Sequence, residues 1–264
     1  DNLRSFNSAL TASNIQDLYD SEFQCYITKN ASDPFGGSIE KAFYKFEENT
    51  GTSLTDSSGN GNNGTISGMT WTTSDPAFGS YSGSFDGSND KVDLPDNILP
   101  DNSTANSSAS IWAKSTGTLS AQGCILDAWN YDNSEPAWSL FIDQAWGGYP
   151  NGQLGISQYY LNGSSASSLY GGDDFSDGLW HHYVVVWDNS ANTLTLFVDG
   201  IQYLQHTSLT ASNVWIFTQK SAIGYQNAHP SHPRYFGGQT DQLRIFNSAL
   251  TGEQVFKLYA ERNG

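Results

Sequence analysis

Apolar and polar residues alternate with a period of two along most of the chain, and that is the period of strands. "KAFYKFEE", residues 41–48, sets Phe43, Lys45 and Glu47 on one face against Tyr44, Phe46 and Glu48. "SASIWAK" sets Ala109, Ile111 and Ala113 against Ser110, Trp112 and Lys114. "GCILDAWN", "AWSLFID" and "GQLGISQYY" read as further strands, each bounded by Gly, Asn or Pro. "WHHYVVVWDNSANTLTLFVDGIQY", residues 180–203, reads as two successive hairpins, turning first at "NSAN" and then at Asp199-Gly200. "GSYSGSFDG" and "DKVDLP" are expected to pair as a hairpin through Gly87, Ser88 and Asn89. Only residues 251–261, "TGEQVFKLYAE", carry a helical stripe, with Val255, Leu258 and Tyr259 on one face. Many short strands without intervening helices predict an all-β antiparallel jelly-roll sandwich with one short C-terminal helix.

One pattern breaks the single-domain picture. "DNLRSFNSALTASNIQDLYD" opens the chain and "DQLRIFNSALTGEQVFKLYA" follows 240 residues later, with 11 of the first 22 aligned positions identical. A solenoid period would be roughly 20–50 residues, so a repeat of that kind is excluded. Residues 1–22 are therefore expected to be the terminal strand and helix of a preceding similar domain. Residues 23–40 would be a linker with Pro34 and a Gly pair, and residues 41–264 the domain proper.

Composition narrows the function. The net charge is −16, from 27 acidic and 11 basic residues, which excludes the Lys/Arg footprint of nucleic-acid binding and repels anionic membranes. No run of 18 apolar residues is present, so no membrane insertion by a helix is expected. The 8 Trp and 14% aromatic content supply both a core and binding surfaces. The two cysteines, Cys25 and Cys124, lack zinc-site or redox spacing; they are either a disulfide or two separate thiols.

Five stretches in order, "YKFEENTGTSLTDSSGNGNNGTI", "GSFDGSNDKVDLP", "LWHHYVVVWDNSANTLTLFVDG", "AIGY" and "GGQTDQLRIFNSALTGEQVFKLYAE", resemble the laminin-G-like, concanavalin A-like family of lectin and glucanase sandwiches. The opening tail is similar to that family's terminal pattern. The resemblance implies a jelly roll of two facing sheets, recognition of glycans or proteins, and frequently a structural Ca2+. It also implies placement in tandem arrays of extracellular, cell-surface or phage tail-fibre proteins, with neighbouring copies of the module as partners.

Candidate sites follow. The loop "DSSGNGNNG" offers oxygen donors at Asp56, Asn60 and Asn63, with Gly61 letting the backbone curl, as calcium requires. The resemblance adds Asp241 as the second carboxylate. Sugar rings are bound by aromatic faces and by polar groups converging on hydroxyls. That chemistry singles out Trp129, Tyr131, Asp132, Trp146 and Tyr149 in one aromatic stretch, and Tyr225, Asn227 and Tyr235 in a second loop. His181 and His182 read as strand residues, one facing in and one out. Carboxylates spaced as E-x-D-x-E on a strand face, the sandwich-glucanase arrangement, do not occur. The expectation is a non-catalytic recognition module for a glycan or cell-surface polysaccharide, extracellular or on a cell or virion surface. A lectin-like structural spacer and, behind it, a polysaccharide-active enzyme are the alternatives.

Overall fold

The structure, a computed structural model, describes residues 40–96, 98, 106–115, 123–129, 138–142, 152–158, 167–207, 220–226 and 234–263. The expected remnant, residues 1–22, lies outside these residues, as does the expected linker 23–40 apart from Glu40, which is already in a strand.

Among the described residues, eighteen strands form two large antiparallel sheets and one small ribbon. The first sheet runs β14 (Ile201–His206), β13 (Thr193–Val198), β12 (His181–Asp188), β7 (Ser107–Ser115), β18 (Gly237–Phe246), β5 (Ser82–Asp86) and β4 (Thr70–Thr72), with β1 (Glu40–Tyr44) also paired to β18. The second runs β11 (Ser167–Asp174), β10 (Gln153–Gln158), β9 (Trp138–Ile142), β8 (Gly123–Trp129), β15 (Lys220–Ile223), β6 (Lys91–Leu94), β3 (Gly64–Ser67) and β2 (Ser53–Leu54). β16 (Tyr225–Gln226) and β17 (Arg234–Tyr235) form the ribbon. The sheets face each other across one core that includes Tyr44, Phe46, Ile111, Leu126, Leu140, Ile156, Tyr183 and Ile245. The antiparallel sandwich read from the alternation is the fold observed.

The long strand β18 organises the first sheet. Its first half, Gly237–Thr240, pairs with β5, and its second half, from Leu243 to Phe246, pairs with β1. The ladder with β7 shifts between Asp241 and Arg244, and Gln242 takes a φ of 47°. This irregularity places Asp241 in the gap between β5 and β1.

The hairpin expected over residues 79–95 does not form. β5 pairs with β18 and β4 in the first sheet, whereas β6 pairs with β15 and β3 in the second. Residues 87–90 therefore cross from one sheet to the other, and Asp90 fixes the corner by accepting the Asp86 N–H at 2.9 Å. Turn residues mark a reversal, but long-range neighbours decide which strand is paired. The two hairpins of residues 181–206 do form as read. Asp199 and Gly200 take φ of 50° and 79°, as a tight two-residue turn requires.

The helix α1 (Gly252–Ala260) starts at a capping box between Thr251 and Gln254 and buries Val255 and Leu258. Its Tyr259 stacks on Trp112 at 5.8 Å, and both rings flank His182. The helix thus covers the outer face of the first sheet beside β7 and β12, so alternate residues that would face water are buried. Cys124 is a free, buried thiol.

Candidate functional site on the outer face of the second sheet

The outer face of the second sheet carries no helix among the described residues. Strand register runs one row straight across it: Ser168, Ser157, Ser139, Asp127, Ala222, Asp93 and Thr65 are successive Cα partners from β11 to β3. Alternation turns Leu126 and Ala128 into the core, and Asp127 between them the other way. A carboxylate in this position, with a residue exposure of 1%, needs partners. Ser139 Oγ donates to Asp127 Oδ1 at 2.5 Å, Gln226 Nε2 donates to Ser139 Oγ at 2.6 Å, and Arg234 Nη1 donates to Gln226 Oε1 at 2.6 Å. This chain of polar contacts ties the β16–β17 ribbon down onto β8 and β9.

Gly224 makes the ribbon's entry. At a φ of 78° it bonds its N–H to Ile125 O, and a Cβ there would lie 2.4 Å from the Phe85 ring. Gln226 and Arg234 are opposite partners in the ribbon, and so are Tyr225 and Tyr235. With the first pair turned to the sheet, alternation sends the tyrosines to the other side. Their rings stack at 4.8 Å and 25°, both half-buried. Lys91 Nζ sits 5.6 Å from the Tyr225 centroid while bonding both Asp93 oxygens at 2.8 and 2.7 Å. Burial, then the neighbouring Tyr235, Asp127 and Asp93, raise the Tyr225 pKa, so the phenol stays neutral. The result is an aromatic pair on a braced ribbon, beside the Lys91–Asp93 ion pair.

The expected calcium loop has a different chemistry. Asp56 Oδ1 accepts the Phe43 and Ser58 N–H groups, and Oδ2 accepts the Asn62 N–H, each at 2.9 Å. Asn63 Oδ1 accepts the Asp56 N–H at 2.8 Å, and the Asn60 and Asn62 amides donate to the Lys41 carbonyl. Gly61 takes the positive φ expected of it, 76°. Burial raises the Asp56 pKa, but these hydrogen bonds outweigh it and hold the group below its ordinary range. Three N–H donors thus bond the carboxylate, and the loop caps itself as a turn. Asp241 shares no hydrogen-bond partner with Asp56; its oxygens accept the Phe78 and Gln242 N–H groups at 2.9 and 2.8 Å. Fully buried, and with Glu47 adding negative charge, it is pushed up to about 8 despite those bonds. Glu47 in turn accepts the Ser80 and Tyr81 N–H groups. Among the described residues, no group of three or more His, Cys, Asp or Glu side chains is placed to hold a metal.

A family model described as the concanavalin A-like lectin/glucanases superfamily matches residues 86–256. The chain belongs to this superfamily. Among solved structures, the superfamily fold is shared with domain 4 of AbnA, a GH43 extracellular arabinanase from Geobacillus stearothermophilus, in complex with arabinotriose. That likeness has a TM-score of 0.62 at 20% identity and covers 83% of this chain and 98% of that one. The botulinum neurotoxin serotype D ligand binding domain in complex with N-acetylneuraminic acid matches with a TM-score of 0.62 at 16% identity, over 84% of this chain and 51% of that one. The binding domain of serotype G matches at 13% identity and 0.62, over 85% and 51%. The chain spans about half the length of the neurotoxin structures. No curated protein matches the sequence.

Of the superfamily member's expected ligand residues, Tyr225 and Tyr235 come together as described. Trp129 closes β8, its backbone paired with Lys220 of β15. Tyr131, Asp132, Trp146, Tyr149 and Asn227 lie outside the described residues. Sequence reasoning missed the bracing set Asp127, Ser139 and Gln226. Its one visible signal was an acid between Leu126 and Ala128, at the polar phase of an otherwise apolar strand.

Proposed function

We propose that this chain is a non-catalytic carbohydrate-recognition module whose glycan docks on the outer face of the second sheet, at the β16–β17 ribbon. The observation that carries this reading is the stacked Tyr225–Tyr235 pair, held by the buried line Asp127–Ser139–Gln226–Arg234. Aromatic rings fixed in place with polar groups at their edge suit the mixed apolar and hydroxylated surface of a sugar. Two relatives in fold were solved with sugars, arabinotriose and N-acetylneuraminic acid, which supports the class of ligand without naming it. Trp129, at the end of the same strand as Asp127, is a further candidate ligand residue in this reading. Glycoside hydrolysis would need two carboxylates flanking a bond. On this face Asp127 is buried and bonded to Ser139, and Asp93 is paired with Lys91, an arrangement that favours binding over turnover.

The wider setting in this proposal is an extracellular, cell-surface or virion-surface protein. No helix among the described residues is long and apolar enough to cross a membrane. Residues 1–22 would close a preceding copy of the module and residues 23–40 link the two, the parent being a tandem array. The structural Ca2+ implied by the family would be held by Asp241 with Glu47, where a buried carboxylate lacks a counter-charge, rather than by Asp56. Calcium would there stabilise the loop between β4 and β5 and supply no chemistry.

Isothermal titration calorimetry against a panel of neutral and acidic oligosaccharides tests the function. Saturable binding to one class, weakened in Trp129→Ala, is the expected result. Silence across the panel would favour the structural spacer, and reducing-sugar release would revive an enzyme.

A further inference from the structure

The two tyrosines of the ribbon are not equivalent. An aromatic ring has two faces, and stacking at 4.8 Å uses one from each partner. On Tyr225 the Lys91 ammonium contributes a second neighbour, 5.6 Å from the centroid, and is itself fixed by both oxygens of Asp93. Tyr225 thus has both Tyr235 and Lys91 against its ring. Tyr235 meets no second ring and no cation among the described residues, and it is half-buried.

The backbone on either side of Tyr235 is anchored. Arg234 is bonded to Gln226, and Phe236 is fully buried in the core with its N–H on Gly224 O at 2.9 Å. A ring held from both flanks loses little freedom when a ligand settles on it, which favours affinity. Given the carbohydrate-binding reading on which this rests, we infer that Tyr235 is the stacking platform for a sugar ring, while Tyr225 is a positioning residue that holds Tyr235 and is itself held by Lys91. The ligand's contribution is the apolar C–H face of a pyranose or furanose ring, laid on the side of Tyr235 turned away from Tyr225.

The test is calorimetry with the tightest-binding oligosaccharide of the panel. Tyr235→Ala should lower affinity roughly tenfold or more, whereas Tyr235→Phe and Tyr235→Trp, which keep the ring, should stay within roughly threefold of wild type. Tyr225→Ala should lose less than Tyr235→Ala. Urea midpoints measured on the same samples establish that each variant is folded. Wild-type affinity in a folded Tyr235→Ala protein overturns the inference and leaves the carbohydrate reading standing. A larger loss in Tyr225→Ala than in Tyr235→Ala reverses the two roles and overturns it as well. A wild-type protein that binds nothing in the panel removes the carbohydrate reading, and this inference with it.

Discussion

His182 should make the domain acid-sensitive, by an amount that can be worked out. Its ring packs against both Trp112 at 5.0 Å and Tyr259 at 6.2 Å, under the C-terminal helix. One nitrogen, Nε2, is 2.8 Å from Ser110 Oγ, and Nδ1 has no hydrogen-bond partner. Protonation would bury a charge and leave an N–H donor unmatched. Burial therefore lowers the pKa from 6.5 to about 3, with Arg244 pushing the same way and Asp199 against it. Below pH 6.5 the unfolded chain takes up a proton that the folded one refuses until about pH 3. Stability accordingly falls with pH across that window, by about 1.4 kcal/mol per unit and about 3 kcal/mol at pH 4.5.

Two neighbours titrate with opposing signs. The pKa of His181 is raised, because Asp199 and Asp177 outweigh its burial, so its contribution is present below 6.5 and is lost as pH rises through its folded value. Asp199, lowered by His181 and the His182 N–H against its own burial, contributes above its ordinary range and loses this as pH falls. Comparing wild type with His182→Phe, which keeps an aromatic ring against Trp112 and Tyr259, cancels both to first order. Urea unfolding followed by tryptophan fluorescence at pH 7.5, 6.5, 5.5 and 4.5 gives the difference. The variant should be less stable at pH 7.5, by about 1–3 kcal/mol for the unmatched Ser110 hydroxyl. It should then gain on wild type by about 2 kcal/mol between pH 6.5 and 4.5. A difference that stays flat across that range would refute the reasoning.

Other expectations can be checked on the same footing. A Cβ at Gly83 would lie 2.7 Å from Met69 Sδ and 2.9 Å from the Phe46 ring, so Gly83→Ala should cost about 1–3 kcal/mol in urea unfolding; a neutral result would show that the core under β5 yields freely. Asp56→Asn should lower stability by about 1–3 kcal/mol, since its amide cannot accept all three backbone N–H groups, yet leave any calcium-dependent rise in Tm intact. Asp241→Asn should abolish that rise, and the opposite assignment in thermal melts with calcium and EDTA would return the metal to the Asp56 loop.

The alternation carried the strands themselves because burial on one face forces it: Ala109, Ile111 and Ala113 all reached the core as their phase required. Pairing was less legible. The Gly87–Asn89 turn looks like a hairpin tip in sequence, and nothing local reveals that β18 and β15, some 150 and 130 residues onward, claim its two arms. The two histidines show a subtler failure. One does face in and one out, but the outward one is the more buried, because α1, which no local pattern ties to β12, covers that face. At the site, Tyr225 and Tyr235 were legible as aromatics in a turn-rich loop. Asp127, Ser139 and Gln226 were not, since their meaning arises only when register brings β8, β9 and β16 together. Around Asp56 the sequence left two readings open, because the same oxygen-rich composition serves a metal or a ring of backbone N–H groups equally well.

The central claim is the location of the binding face, and chemical-shift mapping by NMR tests it most directly. Titrating the labelled protein with the oligosaccharide it binds best should move the amides of Tyr225, Gln226, Arg234, Tyr235 and Lys91, and leave those of Trp112, His182 and Tyr259 in place. Shifts gathered instead around Trp112 and α1, on the opposite sheet, would contradict the account.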